Sequence, residues 1–123
     1  MDGMRFTVAV HLHGTLAANA QGAFQLPCPA TLVEISGCAS NDSDATLQVG
    51  TSADADGILT AVVIGDSSTP AVKVAANFDG ALCDQVAGYR CADNTIMTWV
   101  LDFDGAAGTA GQNVDILFTF LEG

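Results

Sequence analysis

His11 and His13 stand two apart in "RFTVAVHLH", a spacing that projects both rings from one face of an extended strand, as a pair of metal ligands requires. A strand-borne His-x-His site of that kind also takes a nearby Glu and a further His. Here the following residues are "GTLAAN" and the chain holds two histidines in all. Asp54 and Asp56 in "DADG", and Asp102 and Asp104 in "DFDG", echo the opening of a calcium loop, where acids two apart wrap a hard cation ahead of a required glycine. With Gly57 or Gly105 at the loop's sixth position, the closing bidentate Glu would have to be Val63 or Gly111. Both segments are therefore expected to be turns in which Asp bonds nearby amides. Ser and Thr are plentiful, but there is no Gly-x-Ser-x-Gly elbow and both histidines share one segment, so no nucleophile and base stand out. Cys28, Cys38, Cys83 and Cys91 are too widely spaced for a Cys-x-x-Cys zinc knuckle. No local pattern selects a carboxylate pair for glycoside chemistry. These residues predict no catalytic site, no metal and no cofactor.

The elements that position them belong to a chain of 123 residues, for which a single domain spanning 1–123 is expected. Half of the residues are hydrophobic and 14% are charged, against roughly 25% charged in an average soluble protein. The apolar content comes in strand-length pieces rather than an unbroken run of about 18 or more, so no membrane span is predicted. Fourteen acids against Arg5, Lys73 and Arg90 give a formal charge of -11, which repels phosphate backbones and argues against a nucleic-acid partner. The opening "MDGMRFTVAV" lacks a basic region followed by an apolar stretch and a small-residue cleavage site, so synthesis and folding in a cytoplasm are expected. A reducing compartment predicts free, buried thiols over disulfides. Cys83 and Cys91 are the pair that flanks one short loop.

In "RFTVAVHLH" the apolar side chains Phe6, Val8, Val10 and Leu12 alternate with Thr7, Ala9, His11 and His13, the pattern of a half-buried strand. Further strands are predicted over 23–27, 31–39, 45–51, 58–64, 71–78, 86–91, 94–103 and 113–121, parted by turn clusters such as "SNDSD", "SADADG" and "GDSSTP". No window shows a sustained 3.6 periodicity, and glycine or β-branched residues cut the alanine-rich pieces. The prediction is all-β: an antiparallel two-sheet sandwich or barrel of jelly-roll type with about eight strands. An immunoglobulin-like sandwich is the second choice, since Trp99 is not bracketed by two cysteines at that fold's separation.

Ile58 to Gly65 reads as apolar on both faces, with Ile58, Thr60, Val62 and Ile64 on one side and Leu59, Ala61 and Val63 on the other. "TWVLDF" (98–103) and "ILFTFL" (116–121) make the same demand. A two-sheet sandwich covers one side of each sheet, so the surplus predicts contact between copies, with Val62 as an interaction residue.

The opening "FTVAVHLH", the central "TLVEISGCASNDSDATLQVGTSADADGILTAVVIGDSSTP" and the closing "WVLDFDGAAGTAGQNVDILFTFLEG" resemble the small all-β proteins of tailed bacteriophages that decorate or cement the capsid. The resemblance covers almost the whole length and rests on turn phrases, "GTSADADG" and "DGAAGTAGQNV". It implies a structural virion protein without catalysis. Such a protein is commonly a homotrimer on the outer capsid surface that bridges neighbouring major capsid proteins. Arg5, one of very few cations, is the residue to consider for a salt bridge to the shell. Two alternatives remain open: a head-fibre or tail-associated sandwich that binds host glycans, and a cupin-like metal enzyme.

Overall fold

Alternating side chains dictate strands along most of the chain, and the computed structural model, which describes residues 4–66, 69–79, 83, 85–92, 94–106 and 108–122, contains them. They are β1 (Arg5–Thr15), β2 (Ala20–Gln25), β3 (Ala30–Ala39), β4 (Thr46–Thr51), β5 (Leu59–Val63), β6 (Gly65–Asp66), β7 (Ala71–Val74), β8 (Tyr89–Cys91), β9 (Ile96–Asp102) and β10 (Gln112–Glu122). The helical piece among the described residues is a 3-10 turn at Ala75–Asn77.

One sheet runs β1-β10-β3, with β6, β7 and β8 sharing the next position along β3, and the other runs β2-β9-β4-β5. Pairing is antiparallel except for the short β3–β6 contact, Cys38↔Gly65 and Ala39↔Asp66. Taken as one broken strand, β6, β7 and β8 bring the number of strand positions to eight. The chain changes sheet at β1–β2, β2–β3, β3–β4, β5–β6, β8–β9 and β9–β10. That path winds two Greek keys into a jelly roll, as the strand pattern predicts.

The period of two sends Met97, Trp99 and Leu101 of β9, and Val114, Ile116, Phe118 and Phe120 of β10, into the space between the sheets. They meet Leu32 and Ile35 of β3 and Leu47 and Val49 of β4 in one buried cluster. Phe24 of β2 lies 5.2 Å from the Phe118 ring and 6.1 Å from that of Phe120, and Phe6 stacks on Phe120 at 5.1 Å. Burying each such side chain contributes roughly 1.5–3 kcal/mol over leaving it exposed, so this layer supplies most of the force joining the sheets.

Departures from strict alternation have local causes. Leu32 and Ile35 both face inward because β3 bulges at Val33, where the register against β10 jumps between Glu34↔Thr119 and Leu32↔Phe120. The strand expected over 71–78 stops at Val74. Val74 N donates to Asn77 Oδ1 (3.0 Å) and Phe78 N to the Ala75 carbonyl (3.1 Å), and this turn drives Phe78 into the core. The two-faced reading of 58–64 also fails. Leu47 opposes Val62 and Val49 opposes Leu59, so Gln48 faces both Thr60 and Ala61, and Ala61 takes φ 35° at the bulge. The slip turns Ile58, Leu59 and Ile64 inward, leaves Val62 half-buried and exposes Thr60, Ala61 and Val63. β5 is thus an edge strand with a wet side, not a strand apolar on both faces.

Candidate interaction surfaces

The residues with chemical potential lie on the outside and do not converge. His11 and His13 project from the outer face of β1, exposed, with ring centroids 6.3 Å apart. His11 Nδ1 lies 2.6 Å from Asp115 Oδ1 on the paired strand, an exposed contact of about 1 kcal/mol at most. Among the described residues no three His, Cys, Asp or Glu side chains come together as a metal would need.

The acidic phrases are turns. The Asp54 carbonyl accepts from Thr51 N (2.9 Å) and Gly57 N (3.2 Å), and Asp102 Oδ1 accepts from Asp104 N at 3.0 Å. A side-chain hydrogen bond with Asp54, and then the charge of Asp54, push the Asp56 carboxyl above its usual range. The same loop folds back over β4, where a Cβ on Gly50 would sit 2.1 Å from the Asp54 carbonyl oxygen. Its return walls a hollow of about 480 Å³ on the outer face of the second sheet, lined by Gln21, Ala23, Thr51, Ser52, Ala55 and Thr98 among others.

All four cysteines carry free thiols, with Cys83 and Cys91 buried and Cys28 and Cys38 half-buried. Burial pushes the Cys91 thiol up to about 11 against the lowering pull of Arg90. Burial, then the charge of Asp79, raises Cys83; burial, then Asp115 and Asp66, raises Cys38.

Strand register organises the outer face of the first sheet into rows. Ala9, Leu117, Ser36 and Val72 line up across β1, β10, β3 and β7, and Thr7, Thr119, Glu34 and Val74 form the next row. Leu117, Val72 and Val74 are 40%, 51% and 44% exposed. A hollow of about 330 Å³ opens there, lined by Leu117, Val72, Pro70 and Cys38 with Glu34 and Asp115. Arg5 is exposed at the end of this face, in the row Arg5, Leu121, Thr31, Arg90. The structure therefore sets Arg90 in the same row as Arg5, although they are far apart in sequence. Sequence reasoning passed over Arg90, because only the pairing of β3 with both β8 and β10 brings the two cations to one end. Val62 lies elsewhere, half-buried on β5 beside the narrow seam that Ala71 and Lys73 of β7 also line. Arg5 and Val62 do not share a site.

No family model and no curated protein matches the sequence. Among solved structures, the fold is similar to a chain in the capsid asymmetric unit of cyanophage Pam1, at 16% identity and a TM-score of 0.53, covering 99% of this chain and 87% of that one. A chain in the acidic stable capsid structure of Helicobacter pylori bacteriophage KHP30 also matches, at 15% identity and a TM-score of 0.40, covering 94% of this chain and 91% of that one. At these identities the likeness is one of fold, and it rests on the Pam1 chain.

Proposed function

We infer that the chain is a structural virion protein, a single jelly-roll domain over 1–123 that decorates and stabilises the outer surface of a tailed-phage capsid as a trimer bridging major capsid proteins. The observation that carries this reading is the outer face of the first sheet. Leu117 on β10 and, across β3 from it, Val72 and Val74 on β7 are exposed on one sheet face of a chain whose core is filled, with Arg5 and Arg90 at one end and Glu34 and Asp115 also on the face. An apolar patch carrying both signs of charge is built to lie against another protein. The fold likeness to a chain of the Pam1 capsid unit supports a shell as that protein.

The patch supplies affinity, and Arg5 with Arg90 sets orientation by meeting shell carboxylates, since exposed ion pairs steer more than they hold. A subunit that binds only the expanded shell stabilises it by mass action, about 2.7 kcal/mol per site at one hundred times its Kd. Neither alternative gains a specific observation. The histidines face away from the space between the sheets, which Phe118, Phe120, Met97 and their neighbours fill. None of the six Phe, the Tyr and the Trp is exposed, so no stacking platform for sugars is offered. The test is binding of purified protein to expanded heads that lack it, read as bound copies per head. Saturation at a fixed number supports decoration, and absence of binding removes it.

A further inference from the structure

We propose that the β1–β2 flank of the sandwich is the contact through which copies of this chain meet, the flank of one copy packing against the acid-bearing side of the next. Three independent observations meet there.

The first is an open strand edge. Among the described residues β1 pairs only with β10, so its other side presents the unpaired amides and carbonyls of an eleven-residue strand. Edges of this length are ordinarily blunted by lysine, proline or an inward-pointing charge. β1 has none of these, and its register break lies at its far end, between Leu12 and Thr15; its inward positions are Phe6, Val8, Val10 and Leu12. β2 is the matching edge of the second sheet, pairing only with β9 among the described residues.

The second is a partly covered rim to the core. On β9 and β10 the inward side chains are buried, whereas Phe6, Val8, Val10 and Leu12 of β1, Leu16 of the connection, and Ala20 and Phe24 of β2 pack against the core but are only half-buried. A partner strand laid on β1 would pair the backbone and complete the cover of these side chains.

The third observation names the occupant. Residues 3–33, a stretch that includes β1, β2 and their connection, contain no Asp or Glu, although the chain has fourteen. Their basic groups are Arg5, His11 and His13. Around β5 and β7, at the opposite edges, stand Asp54, Asp56, Asp66 and Asp79. A chain of charge -11 repels itself in most orientations, and the one that relieves this sets the flank, whose strands carry no acid of their own although Asp115 of β10 faces His11, against the neighbour's acidic side. That contact is head-to-tail, which gives a ring where the rotation between copies closes and an open filament where it does not, rather than a two-fold dimer; the closed ring is the form proposed.

The inference deepens the assembly reading above and takes its setting from it, but the test needs only the purified chain. Native mass by analytical ultracentrifugation is compared for the wild type, Val10→Lys and Leu117→Lys. Val10→Lys adds the inward lysine that natural edges use, and Leu117→Lys changes the outer sheet face on β10, away from both edges. The expected result is a closed ring of three or more copies for the wild type and Leu117→Lys, and monomer for a folded Val10→Lys. A folded Val10→Lys that keeps its ring, a two-fold dimer, or a wild type that stays monomeric at millimolar concentration overturns the proposal. Should Val10→Lys fail to fold, hydrogen exchange on the wild type decides: β1 amides slow on concentration if the flank is the contact and stay fast if it is not. Head binding by the same proteins separates the two readings. A monomer that saturates heads refutes the flank contact alone, and a ring that ignores heads refutes decoration alone.

Discussion

Cys91 shows what burial does to a reactive group in this chain. Its thiol is pushed up to about 11 chiefly by desolvation, so at pH 8 only on the order of one molecule in a thousand carries the thiolate that attacks an alkylating reagent. Cys28, beside Glu122, is only half-buried and within reach of solvent. Iodoacetamide at pH 8 is therefore expected to modify Cys28 first and Cys91 only after denaturation, as read by peptide mass spectrometry; early labelling of Cys91 would mean that the core around Met97 opens. The same burial makes these thiols part of the packing, since Cys83 and Cys91 belong to the cluster that holds Phe78 and Met97. At the surface the opposite holds. His11 with Asp115, and Asp54 with Asp56, are exposed groups whose partners settle local geometry without building a site.

At the scale of elements, the strands of the jelly roll were legible wherever alternation was regular, and least so where one residue broke it. "RFTVAVHLH" states its two faces outright, and the structure keeps them. Ala61 does not announce itself: nothing in its type marks a left-handed backbone, yet the bulge there gives β5 its wet side and removes the supposed second apolar face. Ala61→Gly is expected to hold or raise the melting temperature and Ala61→Val to lower it, since this backbone region costs a side-chain-bearing residue about 1–2 kcal/mol and a β-branched one more. Equal melting points would place the bulge elsewhere. Val62, the interaction residue expected from sequence, sits at the β5–β7 seam on the acid-bearing side. Val62→Asp should lower the native mass; a folded variant of unchanged mass would assign Val62 to packing within one subunit. The absence of acid from residues 3–33 was also readable, but it acquired meaning only when β1 and β2 proved to be the edges of the two sheets.

The molecule is a sandwich with a filled core and with apolar surface left over at places that include the outer face of the first sheet and the partly covered β1–β2 flank. A charge of -11 restricts the orientations in which copies meet. On the proposed function, two surfaces of different character would serve two kinds of neighbour, copies of the chain at the flank and a shell under the sheet. A bound ring would then span several shell subunits and stabilise only the lattice that presents them together. The most direct measurement is a titration of expanded heads, stripped of this protein, with the purified chain, followed by imaging and by the force or heat needed to release the DNA. Binding that saturates at a fixed number of outer-surface sites and makes the heads harder to rupture is the predicted result. Heads that take up no protein, or take it up without limit and without gain in strength, would contradict it.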